Sequence, residues 1–171
     1  MIEERAKKIK LLILDVDGVL TDGSIIYDNF GDEFKVFNVS DGLGVYLLNK
    51  VGIRTVIITA RKTKAVIKRA KDMHVSSVYS NHYKLKVYKK VIKKFRVKDE
   101  EVCFIGDELL DLPLIKRVGF SVAPPNASEE VKALSHYITH NQAGKGAVRE
   151  VVELILKAQG LWEKAIADYL V

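Results

Sequence analysis

Asp15 and Asp17 stand two residues apart in Asp15-Val16-Asp17-Gly18-Val19-Leu20-Thr21-Asp22, directly after the aliphatic run Leu11-Leu12-Ile13-Leu14. A short apolar run of this kind reads as a buried strand, and a parallel strand delivers whatever follows it to the ligand-binding edge of its sheet. Two carboxylates and a glycine at such an edge form an oxygen-rich site suited to Mg²⁺, which usually takes one or two carboxylates plus waters and substrate phosphate. One carboxylate can attack phosphorus to give an aspartyl-phosphate while the other handles protons. Asp-x-Asp-Gly is also an ordinary polar turn, so the rest of the chain has to decide.

Three more polar sites follow apolar segments. Thr59-Ala60-Arg61 comes after Thr55-Val56-Ile57-Ile58, and its hydroxyl and guanidinium can grip phosphate oxygens or another anionic group. Gly106-Asp107-Glu108-Leu109-Leu110-Asp111 comes after Val102 to Ile105; Asp107 offers a further hard ligand, and Gly106 lets the backbone approach a metal. Lys84, after Tyr79 to Tyr83, can present an ammonium to a transferring phosphoryl group. Taken singly, Thr59 reads as a helix cap, Lys84 as a surface lysine and Asp107 as the cap of a helix from Leu109. Their joint placement favours phosphoryl transfer.

The elements that must position these residues alternate. Strands are expected at Lys10 to Val16, Arg54 to Thr59, Ser77 to Tyr79, Glu101 to Ile105, Phe120 to Val122 and Tyr137 to Thr139. Helices are expected at Asp41 to Val51, Thr63 to Met73, Lys84 to Phe95, Leu109 to Val118, Ser128 to Leu134 and Gly146 to Gln159. That rhythm implies an α/β fold with a doubly wound, mostly parallel, Rossmann-like sheet. One segment departs from it: Ser24 to Asp28 and Phe34 to Asn38 flank Phe30-Gly31-Asp32-Glu33 as a projecting β-hairpin, 24–38. Its apolar residues, Ile25, Ile26, Tyr27, Phe34, Val36 and Phe37, do not alternate cleanly, so both faces are expected to be covered, by its own domain or by another subunit.

With 171 residues and 48% hydrophobic content the chain suits one domain, 1–171, with an ample core. No signal peptide or membrane-spanning stretch is visible, and the single cysteine, Cys103, reads as a core residue, so a cytoplasmic protein is the default. The net charge of +6 falls largely on solvated helix faces and also suits an anionic small substrate. No nucleic-acid module is recognisable among the basic residues.

Asp15-Val16-Asp17-Gly18-Val19-Leu20-Thr21-Asp22, Thr59, Lys84 and Gly106-Asp107-x-x-x-Asp111 resemble the four motifs of the haloacid dehalogenase superfamily, in order and across most of the chain. Asn38-Val39-Ser40-Asp41-Gly42-Leu43-Gly44, Ile58-Thr59-Ala60-Arg61-Lys62 and Gly144-Lys145-Gly146-Ala147-Val148-Arg149-Glu150 resemble more closely the 3-deoxy-D-manno-octulosonate 8-phosphate phosphatase family of lipopolysaccharide biosynthesis. The resemblance implies that Asp15 is the nucleophile, with its other oxygen on Mg²⁺. Asp17 is the acid/base and lends its backbone carbonyl to the metal, Asp107 is the remaining protein ligand, and Thr59 and Lys84 hold the phosphoryl oxygens. Asp111 orients the metal site or Lys84 from behind. The acid at Asp17 favours a phosphatase or phosphomutase, and the short stretches from Gly18 to Thr59 and from Thr59 to Lys84 leave no room for a full cap domain, which favours hydrolysis.

A site without a cap needs another way to recognise its substrate. The resemblance implies a homotetramer in which the hairpin and the C-terminal tail, 160–171, help form a neighbouring pocket. Leu161, Trp162, Ile166 and Leu170 make an apolar stripe in that tail, which could equally pack on its own domain. For a sugar acid phosphate, arginines beyond the phosphate site have a purpose. Arg61 and Arg69, eight residues apart, are expected to share a helix face toward the pocket, and the resemblance adds Asn38, Val39, Ser40, Asp41 and Gly42 as a substrate loop. Arg149 could cap or pair locally. The same scaffold could serve a nonulosonate 9-phosphate, or a noncatalytic oligomerisation module, although the intact motifs disfavour the latter.

Overall fold

A computed structural model describes residues 1–170. The chain begins with α1 (Ile2–Ala6), a five-residue helix too short to show a period in the sequence, and enters β1 (Leu11–Leu14). The hairpin strands β2 (Ile26–Tyr27) and β3 (Glu33–Phe34) come next, followed by α2 (Val39–Lys50), β4 (Arg54–Thr59), α3 (Lys64–Asp72), β5 (Ser77–Ser80) and α4 (Lys84–Phe95). The second half carries β6 (Val102–Ile105), α5 (Leu112–Ile115), β7 (Phe120–Ala123), α6 (Glu129–Leu134), β8 (Tyr137–Ile138), α7 (Ala147–Ala158) and α8 (Trp162–Ile166).

The main sheet runs β5-β4-β1-β6-β7-β8, with every neighbouring pair parallel. β1, β6 and β7 are buried along their whole length; β1 and β6 accordingly read as unbroken apolar runs, and β7 is apolar but for Ser121. Leu12, Leu14, Val45, Leu48 and Ile155 belong to the core on one face, under α1, α2, α3 and α7; Leu11, Ile13, Tyr88, Val91 and Leu114 belong to the core on the other, under α4, α5 and α6. The chain leaves β1 for β4 on one side and later returns to β6 on the other. The crevice beyond the C-terminal end of β1 is therefore a topological switch point, where open α/β sheets bind ligands.

Several expected elements shift for local reasons. The expected loop Asn38 to Gly42 is the cap and first turn of α2: the Asn38 side chain accepts from Ser40 N at 2.8 Å and Asp41 N at 3.3 Å, so the helix starts two residues early. The expected helix from Leu109 to Val118 is a 3₁₀ turn, Leu109–Asp111, followed by the one-turn helix α5 with Pro113 in its first turn. The hairpin is much shorter than expected and its apolar face is open: Ile26, Tyr27, Phe34 and Val36 are exposed, and only Phe37 packs against the core. In the tail, Leu161, Trp162 and Ile166 pack on the chain's own core, Lys50 Nζ holds Asp168 at 2.7 Å, and Leu170 stays exposed; position 171 lies outside the described residues. Among the described residues, no helix is long and apolar enough to cross a membrane.

Candidate active site

Register brings the four polar sites together. Leu14 pairs with Ile57 on one side and Ile105 on the other, so Asp15, Thr59 and Asp107 leave neighbouring strands at the same end of the sheet. Lys84 arrives as the first residue of α4, after β5 has paired Ser80 with Thr59. These residues line one cleft of about 230 Å³ together with Asp17, Gly23, Ala60, Arg61, Glu108 and Leu110.

Lys84 is no surface lysine. Only 2% exposed, it places Nζ 2.8 Å from Asp15 Oδ2 and 2.5 Å from Asp111 Oδ1. Burial opposes its charge, but the two carboxylates outweigh that and hold its pKa above the ordinary lysine value. Asp111 is wholly buried and fully engaged, because its Oδ2 accepts from the Asp107 and Glu108 amides at 2.9 and 3.3 Å. Gly106 makes room for this carboxylate: a Cβ there would collide with Asp111, so the glycine serves the packing of Asp111, whereas the sequence assigned it to approach of a metal.

The glycine that makes room for Asp107 is Gly18, in the left-handed region at φ 80°, where a Cβ would overlap the Asp107 carboxylate. Asp107 does not cap a helix. Its Oδ1 is buried with no hydrogen-bond partner, and the following turn is capped by Glu108, whose side chain accepts from Leu109 N. Burial, reinforced by Asp15 and Asp111, pushes the Asp107 carboxyl up to about 8; burial likewise raises Asp15 to about 6, despite Lys84. Carboxylate oxygens of Asp15, Asp107 and Asp111 lie within 4.8 Å of one another. With Asp111 occupied by Lys84 and two amides, Asp15 and Asp107 are the pair left to share a cation. Crowded, desolvated carboxylates, one with an orphaned oxygen, fit a hard divalent ion that takes two protein carboxylates.

Thr59 is not a helix cap either, since Thr63 caps α3. Its buried hydroxyl accepts from Arg61 N at 3.1 Å and so shapes the turn that carries Arg61. Arg61 precedes α3, so it and Arg69 do not share a helix face. Its guanidinium is held by Glu33 at 2.6 Å and the Tyr27 hydroxyl at 2.9 Å. Arg69 donates instead to the Asn38 carbonyl at 2.7 Å, beneath the start of α2. Asp41 is buried there, accepting from Arg149 N at 2.8 Å and Gly146 N at 3.4 Å, while Val39 and Ser40 stay exposed and Gly42 is covered. Arg149 pairs locally with Glu153 at 2.8 Å and lies over the Trp162 ring.

Two further side chains, which no motif in the sequence marks, reach the site. Lys35 reaches Asp17 Oδ1 at 2.5 Å and Glu33 Oε1 at 2.6 Å with its side chain fully covered, and Asn126 donates to the Gly18 carbonyl at 3.2 Å while accepting from Ala143 N. A signal for the first is present: Glu33 and Lys35 alternate with the apolar Phe34 and Val36, which places both charges on one face of the ribbon.

This fold, with paired aspartates after β1 and Lys84 and Asp107 converging on them, defines a haloacid dehalogenase-type hydrolase. The family model for haloacid dehalogenase-like hydrolases matches residues 77–151. The 3-deoxy-D-manno-octulosonate 8-phosphate phosphatase KdsC of Salmonella typhi is 41% identical over 162 residues, covering 94% of this chain and 86% of its own. The crystal structure of the Moraxella catarrhalis 3-deoxy-D-manno-octulosonate 8-phosphate phosphatase, in complex with magnesium ion, phosphate ion and KDO, is 43% identical with a TM-score of 0.95 over 98% of this chain and 97% of that one. The cobalt-bound deoxy-D-mannose-octulosonate 8-phosphate phosphatase of Haemophilus influenzae is 33% identical, with a TM-score of 0.91 over 98% and 99%. The chain belongs to the 3-deoxy-D-manno-octulosonate 8-phosphate phosphatase family of the haloacid dehalogenase superfamily and is a phosphatase of that family.

Proposed function

We propose that this enzyme hydrolyses 3-deoxy-D-manno-octulosonate 8-phosphate to the free sugar acid and phosphate in lipopolysaccharide biosynthesis, with Mg²⁺ as its cofactor. The observation that carries the reading is Asp15 at the cleft floor, close enough to Asp107 to share an ion and held by Lys84. A carboxylate of Asp15 attacks phosphorus while Asp17 gives its proton to the departing sugar oxygen as the phosphorus–oxygen bond breaks. Asp17 then takes a proton from water, which attacks the aspartyl-phosphate and releases inorganic phosphate and Asp15. Asp15, Asp107 and the Asp17 carbonyl would hold Mg²⁺, which when bound neutralises charge on the phosphoryl oxygens. Lys84 supplies a second fixed positive charge, and Thr59 grips the phosphoryl group.

The cleft of about 230 Å³ is smaller than the ~300 Å³ at the low end of small-molecule sites. It suits a phosphoryl group and leaves most of an eight-carbon acid outside. In this reading one domain, 1–171, works as a cytoplasmic homotetramer in which a neighbouring copy, through its open hairpin or its tail, covers the rest of the substrate. Arg61 and Arg69, with Asn38 to Gly42, are the groups proposed to meet the sugar acid.

Phosphate release with Mg²⁺ across phosphorylated sugar acids, plain sugar phosphates, nucleotides and phosphopeptides tests this. The eight-carbon acid should be preferred, and Asp15→Asn, folded as the parent, should lose at least about 10⁴-fold in kcat. Preference for a nonulosonate 9-phosphate would reassign the sugar, and preference for a phosphopeptide would overturn the small-substrate reading.

A further inference from the structure

We propose that Lys35 is a positioning residue for Asp17: the hairpin delivers a covered ammonium that fixes one oxygen of the acid/base carboxylate and leaves the other to carry the proton. The inference rests on the assignment of Asp17 above. Lys35 lies just past β3 and 18 residues after Asp17, yet its Nζ lies 2.5 Å from Asp17 Oδ1 and 2.6 Å from Glu33 Oε1. Its side chain is 0% exposed, while that of Asp17 keeps 22% toward the cleft. Glu33 is itself anchored by Arg61 at 2.6 Å, and Arg61 Nε lies 4.0 Å from Asp17 Oδ2. Lys35, Glu33, Arg61 and Asp17 thus form a closed ring of alternating charge.

In that ring Oδ1 of Asp17 is bonded to a cation at close range and Oδ2 is not. A proton delivered to the leaving oxygen or taken from water is then confined to Oδ2, which removes the rotational freedom that a short carboxylate side chain at a glycine turn would otherwise retain. Acid/base groups transfer protons only within hydrogen-bond reach, so fixing the carboxylate fixes the geometry of the step. The ring also explains the inverted amphipathicity of the ribbon, with charges facing the site and Phe34 and Val36 facing out.

The test exploits leaving groups. In the phosphorylation step an aryl phosphate departs readily without a proton, whereas a sugar alkoxide needs one; the water step that follows is common to both, so the split is read in the single-turnover rate of leaving-group release. Lys35→Met should lower the single-turnover rate of leaving-group release from the sugar acid phosphate about 100-fold and from p-nitrophenyl phosphate less than about threefold, with the half-saturating concentration of both unchanged and Lys35→Arg recovering most of the loss. In an Asp17→Asn background the same substitution should cost almost nothing further. Equal losses in that release rate on both substrates, or a rise in the half-saturating concentration alone, would overturn the proposal and make Lys35 a structural or substrate-binding group. Should Lys35→Met not fold, Glu33→Gln, which loosens the anchor of Lys35, must give the same leaving-group split, and its absence would sink the idea. A parent enzyme inactive on both substrates would instead refute the phosphatase assignment itself.

Discussion

The carboxylate site and the hairpin touch each other but are built on opposite terms. Asp15, Lys84 and Asp111 sit at the ends of strands and helices buried on both sides, each side chain bound in more than one direction. The hairpin pairs only Ile26 with Phe34 and Tyr27 with Glu33, and Tyr27 and Phe34 remain more than half exposed. An isolated two-stranded ribbon is marginal in water. Here it is tied down by the ionic contacts of Glu33 and Lys35. The chemistry is thus lodged where side chains cannot move, while the surface that would adapt to a substrate or a second copy carries little of the fold's stability.

That contrast can be broken from the rigid side first. Asp111→Ala strips Lys84 of one partner and leaves the Asp107 and Glu108 amides without their acceptor. Loss of a buried charge partner typically costs about 3–5 kcal/mol, so chemical denaturation should show a drop of that order, with kcat also falling. A change below about 1 kcal/mol would mean that the buried Asp15–Lys84–Asp111 cluster is not what fixes the site.

The metal offers a finer probe. In the metal-free protein Asp15 and Asp107 keep their protons to about 6 and about 8, whereas the unfolded chain releases them near 4. Between those limits the folded state binds more protons, so the stability due to this pair is complete below about pH 4 and is lost as pH rises through 6 to 8. Because Mg²⁺ takes the ionised form, the rise in Tm on adding it should be larger at pH 8 than at pH 5.5. A Tm gain independent of pH would separate the metal from these carboxylates.

Least should happen at the ribbon. Phe34→Ser ought to leave the unfolding free energy within about 0.5 kcal/mol, as exposed positions do, and p-nitrophenyl phosphate turnover near that of the parent. Light scattering should nonetheless show a smaller assembly. A stability loss of several kcal/mol would mean that the hairpin belongs to the core after all.

Legibility in the sequence followed the same division. The strands around Asp15, Thr59 and Asp107 are parallel and buried, so their aliphatic runs and the polar residue ending each were visible before any coordinates. Lys84 was found by its place after β5, but nothing local reveals that two carboxylates bury it, because Asp15 and Asp111 come from distant strands. The start of α2 lies two residues earlier because the Asn38 side chain caps it, and the helix expected from Leu109 begins there but breaks into a 3₁₀ turn and a single α-turn. Arg61 and Arg69 were set on one helix by spacing alone, and the turn held by Thr59 separates them. Lys35 is hard to read because apolar residues dominate the pattern of the ribbon, while the informative ones are the two charges between them.

The central position of β1 governs when the site can exist during synthesis. Asp15 leaves the ribosome well before the strands that flank it, since its strand needs β4 on one side and β6 on the other, and the latter ends at Ile105. Lys84, Asp107 and Asp111 follow on the same schedule, so a nascent chain that has not yet reached Asp111 has an exposed aliphatic strand and no means of gathering its carboxylates. Competence to bind a cation therefore switches on late and all at once, with the closing of the sheet around its oldest strand.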